Sequence, residues 1–203
     1  MRLAAALGLL VVFLGGGHGS TGWTQPVERV ELPELQIGDR WERSNGRTYE
    51  VVKRESDHYV VRYLSSTTKG TEHWRGASLG SFVFQRDNAA PQVTYEPAPE
   101  LLRFPLAVGV QWEFTYRNVL VGASFRRSNK VEGWDTVKVP AGTFQALRVN
   151  SVGVRLDNNY RFTETYWYAP EVRGLIKATS DVADPRARSS MEFELLRFVP
   201  GAQ

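Results

Sequence analysis

Side chains able to do chemistry are few and scattered along this chain. Three histidines occur, His18, His58 and His73, and no cysteine. His58 follows Asp57 and His73 follows Glu72, so each imidazole sits beside a carboxylate, and both are donor types that hold zinc. Zinc sites draw their ligands from short recurrent spacings, often with cysteine among them. Two histidines fifteen residues apart match none of these. They read as exposed strand histidines, and no metal site is assigned.

Gly76-Ala77-Ser78-Leu79-Gly80 spells the Gly-x-Ser-x-Gly of a nucleophile elbow. That elbow works because a strand–turn–helix lifts the serine above an α/β sheet, with the acid and then the histidine following in the chain. No histidine follows His73 and no helical period follows the motif, so the spelling carries no catalysis. Glu113 and Glu164 would make a carboxylate pair for glycoside hydrolysis only if two strands faced them across a cleft. The plainer reading is two solvated strand glutamates. No phosphate-binding loop is present, so no catalytic residue and no cofactor is assigned, and a hydrolase is the reading with least support.

Aromatic residues are the more informative class. Trp112, Phe114 and Tyr116 share one strand face, and Phe162, Tyr166 and Tyr168 share another. Such stripes are candidates to line a cavity for an acyl chain or other apolar ligand. The competing reading is that they fill a core, as aromatic strand residues commonly do. Trp167 points to the opposite face from its two tyrosine neighbours.

The elements that must position these residues show best between Val137 and Lys177. Val139-Pro140-Ala141-Gly142 places Pro140 where its fixed φ suits the second turn position and Gly142 at the fourth. The apolar phase then slips, from Phe144 and Ala146 to Leu147 and Val149, which predicts a bulge or a strand covered on both faces. Asp157-Asn158-Asn159 is a turn between two period-two runs, a hairpin signal. Pro170 stops the next strand, and Gly174 restarts the chain as Leu175-Ile176-Lys177.

A second scheme occurs twice. Leu35-Gln36-Ile37-Gly38-Asp39-Arg40-Trp41-Glu42 is echoed by Leu106-Ala107-Val108-Gly109-Val110-Gln111-Trp112-Glu113, 71 positions later. Gly38 and Gly109 make the turn, and Trp41 and Trp112 anchor the next strand. Residues beyond the phrase do not align, so it reads as a local device. Other strands are expected at Arg47–Glu55, His58–Ser65, Glu72–Arg75, Ser81–Phe84, Gln111–Val121 and Met191–Leu195. Asp87–Glu100, with three prolines, reads as the clearest loop, and Arg126–Lys130 as a polar turn. The sum is an all-β fold, a single antiparallel sheet of about a dozen strands curled into a half-barrel or open barrel.

Composition sets the remaining bounds. The chain has 203 residues, 42% hydrophobic and 23% charged, with a formal net charge of +3. Apart from the adjacent Arg126-Arg127, its arginines are scattered singly along strands rather than in the clustered stripe that nucleic-acid binding wants, so no nucleic acid is expected as a partner. Met1-Arg2 and the short apolar run to Gly17 predict a signal peptide over residues 1–22. Residues 23–34 then form an arm and 35–203 a single β domain. No other stretch is a candidate span, and without cysteine there is neither disulfide nor lipid anchor. The mature product is expected to be soluble, in the periplasm or outside the cell.

The phrases Val139 to Leu147 (Val-Pro-Ala-Gly-Thr-Phe-Gln-Ala-Leu) and Tyr166 to Val172 (Tyr-Trp-Tyr-Ala-Pro-Glu-Val), with Gly109 to Trp112 upstream, resemble a family of bacterial exported proteins known as a domain of unknown function. The resemblance covers roughly Leu106 to Thr179. It implies an envelope β protein related to the half-barrels of the lipoprotein carriers LolA and LolB, and it brings no catalytic residues. Those half-barrels hold helices against the concave face, whereas no helical period occurs here. The functional expectation is a noncatalytic envelope protein that binds an apolar small molecule, a lipid or a lipidated partner in a curled β cavity. The alternative is a protein–protein module of envelope assembly that pairs through an edge strand. A large internal cavity favours the first, and a filled interior with a long free edge the second.

Overall fold

The computed structural model describes residues 29–76, 78–182 and 192–202. The expected signal peptide, the first part of the arm, Ala77, and the closing loop past Val182 with Met191 lie outside the described residues.

Period-two patterning produces strands along nearly the whole described chain. β1 (Arg40–Arg43), β2 (Thr48–Arg54), β3 (His58–Leu64), β4 (Lys69–Arg75), β5 (Ser81–Arg86) and β6 (Gln92–Val93) form one antiparallel meander. After the short β7 (Tyr95–Glu96) comes a second meander. It comprises β8 (Gln111–Asn118), β9 (Ala123–Val139), β10 (Gly142–Arg155), β11 (Arg161–Ala169), β12 (Gly174–Asp181) and β13 (Phe193–Val199). A 3-10 turn at Pro170–Val172 is the one helical element among the described residues. All thirteen strands belong to one sheet, ordered β6-β5-β4-β3-β2-β1-β13-β12-β11-β10-β9-β8-β7.

The repeated phrase opens each meander. Gly38 and Gly109 both take positive φ, 94° and 86°, where a β-carbon is disfavoured. Their N–H groups donate to neighbouring strands, Gly38 to Val51 O at 2.7 Å and Gly109 to Val131 O at 2.9 Å. The Trp41 indole donates to Val172 O at 2.8 Å and the Trp112 indole to Glu100 O at 2.7 Å, and Leu35 and Leu106 are buried. The device expected to be local therefore starts two equivalent six-stranded halves.

These halves close on each other. β1, first of its half, pairs with β13, last of the other, from Arg40↔Val199 to Arg43↔Leu195. β8 pairs with β7, which continues β6 through Thr94. Thr94 donates its N–H to Phe82 O and accepts from Val119 N–H, both at 3.0 Å, so the two edges of the sheet meet around it. The result is a nearly closed barrel. The stretch from Asp87 to Glu100, expected to be a loop, thus contains the closing strand, with Pro91, Pro97 and Pro99 flanking the paired residues.

Within the second half the β12–β13 ladder is short, with two pairs, Lys177↔Glu194 and Ala178↔Phe193. Beyond it other contacts take over. Ala141 N–H donates to Leu195 O at 3.0 Å, and Arg173 binds the fully buried Asp39. Gly174 is required here, because a β-carbon would lie 2.9 Å from Trp41 Nε1. The expected Pro140–Ala141 loop joins the two longest strands, with Val139 paired to Gly142.

Where the apolar phase slips, both predicted causes are present. Ala146 packs with Trp41, Tyr49 and Val61, while Leu147 packs with Leu106, Trp112 and Tyr166, so β10 is covered on both faces. A register shift against β9 follows at Arg148/Val149. The expected polar turn at Arg126–Lys130 is instead the interior of β9, and the chain turns earlier, at 119–122. Arg127 and Asn129 are buried there, so polar side chains occupy the inward positions that a period-two reading reserves for apolar ones. The end of the arm is also docked: Val30 is buried and exchanges two backbone hydrogen bonds of 2.8 Å with Leu106.

Candidate functional site

In a meander, alternate hairpin tips fall at the same end of the sheet. Here the β1–β2, β3–β4, β5–β6, β8–β9 and β10–β11 connections share one end with the last residues of β12 and the first of β13. A cavity of about 1290 Å³ lies within the barrel, and each of those five tips contributes to its wall through Asn45, Thr68, Ala89, Leu120 and Tyr160, as does Val182 just past β12. The other end is filled by the two packed clusters, with Trp41, Leu79, Leu101, Leu102 and Leu175 as the cavity floor. The mouth therefore lies among the tips, and it carries an apolar lip, since Val119, Leu120 and Val121 are exposed.

Aromatic rings line two walls. On the first half, Trp41–Trp74, Trp74–Tyr49, Tyr49–Tyr63 and Tyr63–Phe84 follow one another at 6.1, 5.5, 5.4 and 5.8 Å between ring centroids. On the second, Tyr116–Phe125, Phe125–Phe162 and Phe162–Tyr160 lie at 5.3, 6.2 and 6.3 Å. Tyr95 and Tyr116, 5.7 Å apart, bridge the Thr94 seam between the two ladders. Phe162 is held inward by its cross-strand partner Gly153, whose missing side chain leaves room for the ring.

Of the six residues singled out in sequence, Tyr116, Phe162 and Tyr166 stand on the cavity wall. Trp112 and Tyr168 lie in the packed core, 4% and 0% exposed, and Phe114 packs against that core while stacking on Tyr116. The first-half ladder was missed as a lining. Its signal was the alternation of Tyr49, Val51, Tyr59, Val61 and Tyr63, which by itself does not separate a core from a cavity wall.

Charge enters the barrel at two places. Arg127 donates to Ser151 Oγ and the Tyr166 hydroxyl at 3.2 Å and to the Tyr116 hydroxyl at 3.3 Å, and it pairs with Glu164. Its guanidinium lies 4.7 Å from the Phe162 ring centroid. Burial alone would lower the Arg127 pKa, but Tyr166 and Glu164 beside it hold it well above the ordinary value. Burial pushes the Tyr166 phenol far up, so it stays a donor to Glu164.

On the opposite wall, Arg43 lies between the rings of Tyr49 and Phe193, 4.5 and 4.0 Å from their centroids. Glu72 accepts from Trp74 Nε1 at 2.7 Å. Both groups line the cavity and are half-buried, and desolvation shifts each toward its neutral form, lowering Arg43 and raising Glu72.

The residues screened for catalysis fall apart in space. Glu113 is exposed on the outer face of β8 while Glu164 is buried inside, so they do not share a cleft. Ser78 is buried in the β4–β5 turn, where no helix follows. His58 and His73 do meet, on the outer face, with His58 Nε2 3.0 Å from His73 Nδ1 and Asp57 Oδ1 2.9 Å from His58 Nδ1. No cluster of three or more potential metal ligands occurs among the described residues. Nor is any helix among them long and apolar enough to cross a membrane.

No family model matches the chain, and no curated protein matches it. Two solved structures are similar to it at low identity. One, from Bacteroides fragilis, is described as an exported protein with a YmcC-like fold. It is 12% identical with a TM-score of 0.47, over 84% of this chain and 99% of that one. The other, described as a lipoprotein from Parabacteroides distasonis, is 14% identical with a TM-score of 0.42, over 84% and 99% of the two chains.

Proposed function

We propose that this protein is a noncatalytic, exported envelope protein that holds an apolar or amphipathic ligand, a lipid or the acyl group of a lipidated partner, inside its barrel. The observation that carries this reading is the cavity of about 1290 Å³, walled by two aromatic ladders and opening among five hairpin tips and the facing ends of β12 and β13. Small-molecule pockets commonly span about 300–1,000 Å³, so the volume suits a ligand of lipid size. Export rests on the charged tip and short apolar run of residues 1–22. The resemblance of the Val139–Leu147 and Tyr166–Val172 phrases to a family of bacterial exported proteins points the same way.

Pairing through an edge strand is the competing reading. The edges β6 and β7 are two residues each and meet at Thr94, which leaves little free ladder for a partner strand. Native mass spectrometry of the protein purified from its host envelope, followed by organic extraction, tests the proposal. The expected result is a co-purifying lipid or other apolar mass. A clean apo mass, with no later uptake of a fluorescent fatty acid, would overturn it.

A further inference from the structure

This inference rests on the cavity reading and adds the polarity of the ligand. Among the described residues the cavity wall carries five arginines, Arg43, Arg47, Arg86, Arg127 and Arg173, and a single carboxylate, Glu72. Two of the five are neutralised from behind the wall, Arg127 by Glu164 and Arg173 by Asp39. Arg43, Arg47 and Arg86 have no ion-pair partner among the described residues, and the Arg43 Nε is buried without an acceptor.

Position matters as much as count. Arg43 ends β1, Arg47 leads into β2 and Arg86 ends β5, so all three stand at the mouth end of their strands. Below them come the rings of Tyr49, Tyr63 and Trp74, then the apolar floor. Arg43 and Arg47 are half-buried while Arg86 is exposed. The cost of an uncompensated cation in a partly dry wall therefore falls on the first two, and the arginine fork of all three matches carboxylate and phosphate oxygens. Glu72, already bonded to Trp74, offsets one of the three, which leaves an excess of positive charge at the mouth.

The geometry points to an anionic amphiphile as the ligand, with a carboxylate or phosphate head among Arg43, Arg47 and Arg86 and an acyl tail running down the aromatic walls to the floor. The head can come from a free fatty acid or from a phosphate-bearing lipid; the oxyanion is common to both.

The test titrates the delipidated full barrel with laurate, dodecyl phosphate, dodecanol and inorganic phosphate, following tryptophan fluorescence and heat. Laurate or dodecyl phosphate should bind about tenfold or more tightly than dodecanol, the scale of one charge-assisted hydrogen bond. Whichever of the two binds more tightly identifies the head, and inorganic phosphate alone should bind far more weakly. In Arg47→Gln/Arg86→Gln the margin should fall to about twofold, and a melting curve like that of the unaltered protein reports that the barrel is intact. Arg43 is left in place because it is stacked between two rings.

Equal affinity for the anions and dodecanol in the unaltered protein, or a margin that survives the double substitution, overturns the headgroup assignment and leaves the apolar cavity standing. Inorganic phosphate binding as tightly as dodecyl phosphate overturns the amphiphile. Failure of every dodecyl compound to bind overturns the cavity reading itself.

Discussion

Arg127 and Glu164 occupy positions that a period-two pattern reserves for apolar side chains, and they explain why this part of the chain was hard to read. Arg126–Lys130 looks polar on both faces, so the pattern suggests a turn where a strand runs. Because the pair is buried, losing one member strands the other. Arg127→Met should cost about 3–5 kcal/mol in urea unfolding. Arg127→Met/Glu164→Met should cost less than that single substitution, since no charge is left behind. A second residue-scale expectation concerns His73, whose pKa is lowered by burial first and by His58 next. The fold therefore binds fewer protons than the unfolded chain just below the ordinary value of 6.5. Stability from this group is complete above that value and falls as pH drops from it toward the folded pKa. Unfolding free energies measured between neutral and mildly acid pH should slope less in His73→Gln than in the unaltered protein.

Elements were legible where turn chemistry or a long alternation marked them. Pro140 and Gly142, Asn159 with φ 57°, and the two Gly-x-x-Trp phrases sit where their backbone preferences place them. The two-residue strands β6 and β7 were not legible, because so short a run carries no period and three prolines surround it. Nor did the sequence mark which aromatic face lines a cavity, since an inward ring looks the same in a core and in a wall. Gly153 is the position that separates the two. A β-carbon there would lie 2.1 Å from Phe162 Cζ, so Gly153→Ala must push that ring off β10 toward the cavity. The expected outcome is weaker uptake of a fluorescent fatty acid together with a loss of thermal stability. Unchanged uptake with lowered stability would place the occupied part of the cavity on the other ladder.

At the scale of the molecule, closure is the feature that turns a curled sheet into a container. A twisted sheet of thirteen strands curls on itself, and its free edges invite pairing with other chains. The sequence contained half of this: two copies of one opening phrase, 71 residues apart. It did not contain the joins, which depend on residues distant in the chain. The Thr94 seam is the more exposed of the two, because it rests on short ladders and on two backbone bonds of Thr94. Thr94→Pro deletes the N–H that reaches Phe82 O while leaving the long β9–β10–β11 ladders untouched. Hydrogen exchange should then rise in β5 and β8, the strands uncovered at the seam, and remain slow in β9 to β11. Self-association at high concentration should accompany it, because two aromatic-bearing edges are released. If β5 and β8 stay as protected as before, the Tyr95–Tyr116 contact across the seam, rather than its backbone ladder, is what holds the barrel shut.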